Sequence, residues 1–229
     1  MLDIFLKQIN EIYNIILQPI DNVYKIISIE NYKKKMNMIE NKTFSMHYYE
    51  LVRKNKEKGV VYTPIEISDY MISNTIKAEH IIKNPFIKIL DPACGSGNII
   101  IPCYKYLLKL YRENMKIINK NNNINLDNKS LNFHIIKNNL FGFDIDKNAI
   151  KVLIIDLFSE SNYVNVDNFT EKDFLTNDID CKFDIIISNP PYIGQKSIDR
   201  DYSLKLKNYI LKYIEIKVIF LIAFFKNQL

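Results

Sequence analysis

The chain has 229 residues, 48% of them hydrophobic and 25% charged, enough for a sizeable core and far from the composition of a disordered chain. Its longest uncharged apolar run, Val218 to Phe225, falls well short of the ~20 residues of a membrane span, and its start lacks the basic region and cleavage site of a secretory signal. No membrane association and a cytoplasmic location are therefore expected. The net charge of +5 leans only mildly toward a polyanionic partner. Cys94, Cys103 and Cys181 lack the spacing of a metal site or a disulfide framework, so no metal is expected.

The first sixty residues read as largely helical. Leu2, Phe5, Ile9, Ile12, Tyr13, Ile16 and Leu17 recur at helical spacing until Pro19 interrupts them. Further helices are predicted over Phe44 to Asn55 and Ile65 to Lys77, separated by the loop Val60-Val61-Tyr62-Thr63-Pro64. From Pro85 the rhythm changes. Phe86 to Leu90 has the length and composition of a buried strand and runs into a Gly-rich turn, followed by a helix from Asn98 to Lys116. The asparagine-rich stretch Asn119 to Asn128 reads as a surface insertion. A second strand is predicted at Asn139 to Ile145, a helix at Lys147 to Ser159, a third strand near Val166 to Phe169 and a fourth at Phe183 to Ile187. Apolar strands alternating with helices indicate a parallel α/β sheet, whose ligands sit beyond the carboxyl ends of the strands.

The unusual residue clusters fall at those ends. Asp91-Pro92-Ala93-Cys94-Gly95-Ser96-Gly97 follows the first strand, and its small residues let backbone turn tightly and approach a ligand closely. It is neither a P-loop, since no Gly-Lys-Ser/Thr follows, nor a dinucleotide fingerprint, since the third glycine is missing. Asp144, at the end of the second strand, suits the hydroxyls of a ribose. A carboxylate there is also able to cap the next helix, a role for which Asp146 is better placed. Taken alone, Tyr62-Thr63-Pro64 is a helix-start signal and Asp173-Phe174-Leu175 a loop carboxylate beside apolar side chains. Asn189-Pro190-Pro191-Tyr192 is the most informative cluster. Two prolines remove two backbone donors, leaving carbonyls, an amide and an aromatic ring that suit a flat, amine-bearing substrate.

In this order the motifs resemble those of the amino-group DNA methyltransferases that use S-adenosylmethionine, specifically the adenine-N6 class of restriction–modification systems. The resemblance covers about Phe44 to Gly194. It implies a Rossmann-like class I methyltransferase sheet, present in part, within a catalytic domain over 58–213 preceded by a helical segment over 1–57. By the same resemblance Tyr62, Thr63 and Pro64 contact the methionine end of the cofactor, and Asp91, Ala93, Cys94, Gly95 and Gly97 form the main cofactor loop. Asp144 and Ile145 take the ribose strand end, Asp173 and Phe174 hold the adenine, and Asn189, Pro190, Pro191 and Tyr192 form the catalytic motif. The implied partner is double-stranded DNA with its target adenine flipped out, with a restriction or specificity subunit as a further partner. Other methyltransferases carrying the same tetrapeptide act on RNA or protein glutamine, and a cofactor-binding remnant without transfer activity is a third reading.

The chain also departs from the family, which continues with further strands and a target-recognition region. The apolar tail Ile214 to Leu229 matches nothing in that pattern. Stepped by two nucleotides under AT-rich codons, it yields a segment resembling the family's next helix. The expectation is a frameshift-truncated methyltransferase with an out-of-frame tail at 214–229, which the nucleotide sequence of the gene tests directly.

Overall fold

A computed structural model describes residues 1–38, 42–54, 62–177, 179 and 181–190. Lys58 to Val61, Pro191, Tyr192 and the tail at 214–229 lie outside the described residues.

Helix α1 (Leu2–Leu17) buries Phe5, Ile9, Ile12 and Ile16, one stripe at helical spacing, and stops ahead of Pro19. Helix α2 (Asn22–Lys35) is capped by Asp21, whose carboxylate accepts from the Val23 N–H at 2.7 Å. Helices α3 (Phe44–Lys54), α4 (Ile65–Thr75) and α5 (Ala78–Lys83) follow, α4 starting directly after Pro64. Strand β1 (Ile89–Asp91) leads through the glycine turn into α6 (Ile100–Asn122). A short helix α7 (Leu131–His134) continues as a π-turn over Ile135–Asn139 into β2 (Leu140–Asp144). Then come α8 (Lys147–Ser161), β3 (Phe169–Glu171) and β4 (Ile185–Ile186).

The described strands form one parallel sheet in the order β3-β2-β1-β4. The chain steps outward from β1 to β2 to β3 and then returns to the other side of β1. The topological switch point, where open parallel sheets bind ligands, therefore lies between the carboxyl ends of β1 and β4. This is the α/β architecture expected of a Rossmann-like methyltransferase sheet, preceded by helices.

Side chains alternate across β2. Leu140 and Gly142 are buried, whereas Phe141 and Phe143 turn the other way and meet the Phe183 ring edge-on. Helix α8 is buried over most of its length, touching β2 and β3 on one side and α1 and α3 on the other. Its Asp156 carboxylate, 4% exposed, accepts from the Phe44 and Ser45 N–H groups at 3.1 and 2.8 Å. Two otherwise unpaired donors of the first turn of α3 are thereby satisfied. This pair fastens the N-terminal helices to the sheet, and their apolar side chains join the same core.

Boundaries differ from the sequence expectations where local hydrogen bonds compete with strand pairing. Phe86 is half exposed, its N–H bound to Asn84 Oδ1 at 3.0 Å, so β1 starts only at Ile89. The expected surface insertion at Asn119 to Asn128 is partly helix, because α6 runs on to Asn122. Asn123 ends that helix in the left-handed conformation at φ +52°, and Asn119 both donates to and accepts from Leu126 across the turn. Asparagines tolerate this geometry and bond their own backbone, which gives the segment its shape.

Candidate functional site

The turn after β1 is built by three contacts. The Cys94 N–H donates to the Phe143 carbonyl at 2.9 Å, and the Gly97 N–H to the Cys94 carbonyl at 2.9 Å. The Gly95 N–H donates to Asp144 Oδ2 at 2.8 Å, tying the turn to the end of β2. Gly95 and Gly97 both take positive φ, +50° and +101°. A Cβ at Gly95 would meet nothing within 4 Å, so this position faces open space. A Cβ at Gly97 would lie 2.5 Å from Leu153 Cδ1, so the missing side chain lets the turn close onto α8. Cys94 is buried against Gly142, where a Cβ would come within 2.9 Å of its Sγ. Burial, with the Asp91 and Asp144 carboxylates nearby, holds the Cys94 thiol well above its ordinary pKa, so it serves as packing and not as a nucleophile.

Two carboxylates stand at the ends of adjacent strands. Asp91, 2% exposed, accepts from Ser188 Oγ at 2.7 Å and from the Ala93 N–H at 3.1 Å. Burial raises its pKa to about 7, against those two hydrogen bonds and with a further push from Asp144. Asp144 accepts from the Asp146 N–H at 2.8 Å as well as from Gly95, and burial raises its pKa despite both donors. The Asp144 carboxylate has acceptor capacity beyond these donors for an incoming hydroxyl. Helix capping falls to Asp146, which accepts from the Asn148 N–H at 2.9 Å and from the Tyr48 hydroxyl. Beside Asp144, the Ile145 side chain is 70% exposed at the mouth of the sheet.

On the far side of β2, the Lys172 N–H donates to the Asp144 carbonyl at 2.9 Å, bringing the segment after β3 to the same edge. There Asp173 is occupied by its own turn, accepting from the Leu175 N–H at 2.9 Å and from Thr176 Oγ1 at 2.7 Å. Phe174 is half-buried beside it.

Beyond β1, Ser188 and Asn189 extend from β4, and the Ile187 N–H donates to the Leu90 carbonyl at 2.9 Å. Asn189 Nδ2 donates to Thr63 Oγ1 at 3.1 Å, which brings the segment before α4 to the switch point. Tyr62 packs its ring 5.1 Å from that of Tyr49, and the Pro64 carbonyl accepts from the Ile67 and Ser68 N–H groups. Ser45, Ser96 and Asn98 link α3 to the turn: Ser45 and Ser96 hydroxyls lie 2.7 Å apart, and Ser45 Oγ donates to Asn98 Oδ1 at 3.2 Å.

Thus Thr63, Asp91, Ala93, Cys94, Gly95, Gly97, Asp144, Ile145 and Asn189 gather along one edge of the sheet with Pro190, while Pro191 and Tyr192 lie outside the described residues. Gly142, Asp156, Ser45 and Ser188 were not singled out from sequence. Of these, Asp156 carried a readable signal, a lone charge within the apolar run Ile154 to Phe158 that burial obliges to find partners.

The arrangement combines a glycine turn that is open at Gly95, two carboxylates and an exposed aliphatic side chain on one side of the switch point with a carboxamide on the other. It fits a nucleoside bearing hydroxyls and positive charge, placed next to a group that presents an amine. The family model of the N-6 DNA methylases matches residues 41–216. The Type II methyltransferase M.BanIII of Aneurinibacillus aneurinilyticus is 30% identical over 172 residues, covering 69% of this chain and 26% of that protein. The adenine-specific methyltransferase BrxX of Escherichia coli O9:H4 (strain HS) is 36% identical over 66 residues, 29% of this chain and 5% of its own length. The Type I restriction enzyme MpnII methylase subunit of Mycoplasma pneumoniae is 23% identical over 144 residues, 60% of this chain and 22% of the subunit. The chain thus spans about a quarter or less of the length of these relatives. Among the described residues no helix is long and apolar enough to cross a membrane. With its sheet order, its strand-end carboxylates and a family match over most of its length, the chain belongs to the N-6 DNA methylase family.

Proposed function

We propose that this chain carries the cofactor and methyl-transfer half of a restriction–modification methylase, acting on the N6 amino group of adenine in DNA. The observation that carries this reading is the position of Asn189 at the switch point, across β1 from the turn joined to Asp144. S-adenosylmethionine supplies a methyl group activated by its sulfonium. Asp144 would accept from its ribose hydroxyls, and Ile145 would lie against its adenine with Phe174. Asp91 and the turn from Ala93 to Gly97 would hold the methionine side together with Tyr62, Thr63 and Pro64.

The amine of adenine is a poor nucleophile, because its lone pair is delocalised into the ring. Asn189 Oδ1 and the Pro190 carbonyl accept its hydrogens and draw the nitrogen toward tetrahedral geometry. Placement and electrostatic complementarity carry the rate, with no covalent intermediate on the enzyme. The target base has to leave the duplex to reach this position, and Tyr192 would stack on it. Residues 58–213 form the catalytic unit in this reading and 1–57 its helical support. Double-stranded DNA is the substrate, a specificity or restriction subunit the further partner, and the cytoplasm the compartment.

Two measurements on the purified chain test the reading: S-adenosylmethionine binding by calorimetry, and labelled methyl transfer to mixed-sequence DNA with detection of N6-methyladenine. Asn189→Ala is expected to abolish transfer and leave cofactor affinity nearly intact. Strong residual methylation in that variant would overturn the assignment. Binding without transfer would reduce the chain to a cofactor-binding module.

A further inference from the structure

We propose that Thr63 is a positioning residue, whose hydroxyl fixes the orientation of the Asn189 carboxamide; this rests on the functional reading above. Thr63 is 4% exposed and lies 126 positions from Asn189 in sequence, yet its Oγ1 accepts from Asn189 Nδ2 at 3.1 Å. A carboxamide is planar, with oxygen and nitrogen on opposite sides of one carbon, and its terminal torsion is roughly two-fold. One of the two settings offers an acceptor to an amino group. The other presents N–H donors to N–H donors and polarises nothing.

The rest of Asn189 is already held. The Ile187 N–H donates to the Leu90 carbonyl, and Ser188 Oγ donates to buried Asp91, which fixes the chain just before Asn189 on β1. The freedom left at that residue is the turn of its carboxamide. By accepting from Nδ2, Thr63 takes up the nitrogen side and leaves Oδ1 for substrate; among the described residues no donor occupies Oδ1. The helix that follows Thr63 is anchored, because Ser68, one turn into α4, donates to the Asn98 carbonyl at 2.8 Å. The segment before α4 and the end of β4 thus meet at one amide.

The test is nuclear magnetic resonance of the asparagine side-chain amides in the full chain, with the Asn189 pair assigned by its absence in Asn189→Ala. Calorimetry with S-adenosylmethionine and a thermal melt accompany each variant. In the unaltered chain one Asn189 amide proton exchanges slowly with solvent. Thr63→Val moves both protons to free-amide positions and speeds exchange about tenfold, the equivalent of one ordinary hydrogen bond. Thr63→Ser restores the original signal. Thr63→Ala takes the place of valine if the branched side chain prevents folding. An unmoved Asn189 signal in Thr63→Val overturns the proposal. So does a large loss of cofactor affinity with the amide unchanged, which would leave Thr63 a cofactor contact alone. Failure of S-adenosylmethionine to bind the unaltered chain would sink the functional reading, whereas the amide signal reports the tether independently.

Discussion

Alanine at Gly97 and alanine at Gly95 are expected to fail in different ways, although both glycines belong to one turn and both take positive φ. At Gly97 the backbone sits at φ +101°, beyond the left-handed region open to other residues, a strain of about 1–3 kcal/mol. Its new Cβ would also lie 2.5 Å from Leu153 Cδ1 and 3.1 Å from Ile101 Cδ1. Leu153 is fully buried, so relieving the clash means repacking the core between turn and α8, at about 1–3 kcal/mol more. Together these give roughly 4 kcal/mol and a melting point lower by on the order of 10 °C. At Gly95 φ is +50°, within the left-handed region, and the added methyl meets nothing within 4 Å. The cost there is about 1 kcal/mol, partly offset by the less flexible unfolded chain. That methyl does, however, stand in the open mouth of the proposed cofactor site. Thermal melts and S-adenosylmethionine calorimetry on both variants should therefore dissociate: Gly97→Ala loses stability, while Gly95→Ala stays folded and loses affinity. A Gly97→Ala protein melting within a few degrees of the parent, or a Gly95→Ala protein less stable than the Gly97→Ala protein, would refute the reasoning.

Buried Asp91 and Asp156 both have pKa values raised to about 7. Their neutral forms are favoured by folding, so that contribution is complete below the unfolded value near 4 and is lost as pH rises through 7. Denaturant titrations should show stability falling between about pH 4 and 7 and levelling off above that, with a slope approaching about 1.4 kcal/mol per unit for each group; Asp156→Asn should remove its share, and a flat profile would contradict the burial of both. Asp156→Ala, in contrast, strips both acceptors from the Phe44 and Ser45 N–H groups and should cost about 2–4 kcal/mol by chemical denaturation. Gly142→Ala would press on Cys94 Sγ at 2.9 Å, and is expected to cost about 1–3 kcal/mol; the double variant with Cys94→Ala should recover part of that loss. Affinity for the cationic cofactor should rise from pH 6 to pH 8 as Asp91 ionises, and Asp91→Asn should flatten that dependence in calorimetry.

Features legible in the sequence were those whose cause is local. The glycine turn announces itself because positive φ at Gly95 and Gly97 needs glycine. The two strands flanking the switch point lie in short, mainly apolar runs, and Asp146 caps its helix through its own neighbours. What escaped depends on residues far apart in the chain. Gly142 matters because Cys94 folds across β2, and nothing near Gly142 in sequence says so. Ser45 meets Ser96 and Asn98 only after α3 has docked on α8. Composition marks the Asn119 to Asn128 stretch as surface but not its helical start, since the same polarity also supplies Asn119 and Asn122 to hold the end of α6.

The placement of Asp91 joins the two sides of the site. Among the described residues no cation pairs with this buried carboxylate; it is held by a serine hydroxyl from the β4 side and one backbone N–H. A core optimised for stability alone would not keep an acid there, because burial makes its charge costly. A positively charged ligand reverses that balance, since its charge favours the ionised form that the empty fold resists. The carboxylate a cationic cofactor would call on is also the one that Ser188 grips, immediately before Asn189. Ionising Asp91 strengthens its hydrogen bond from Ser188, and that bond holds the segment carrying the Asn189 amide. Cofactor charge and amide placement therefore meet at one side chain, and Asp91→Asn should loosen both, weakening cofactor affinity and speeding exchange of the Asn189 amide in the same protein.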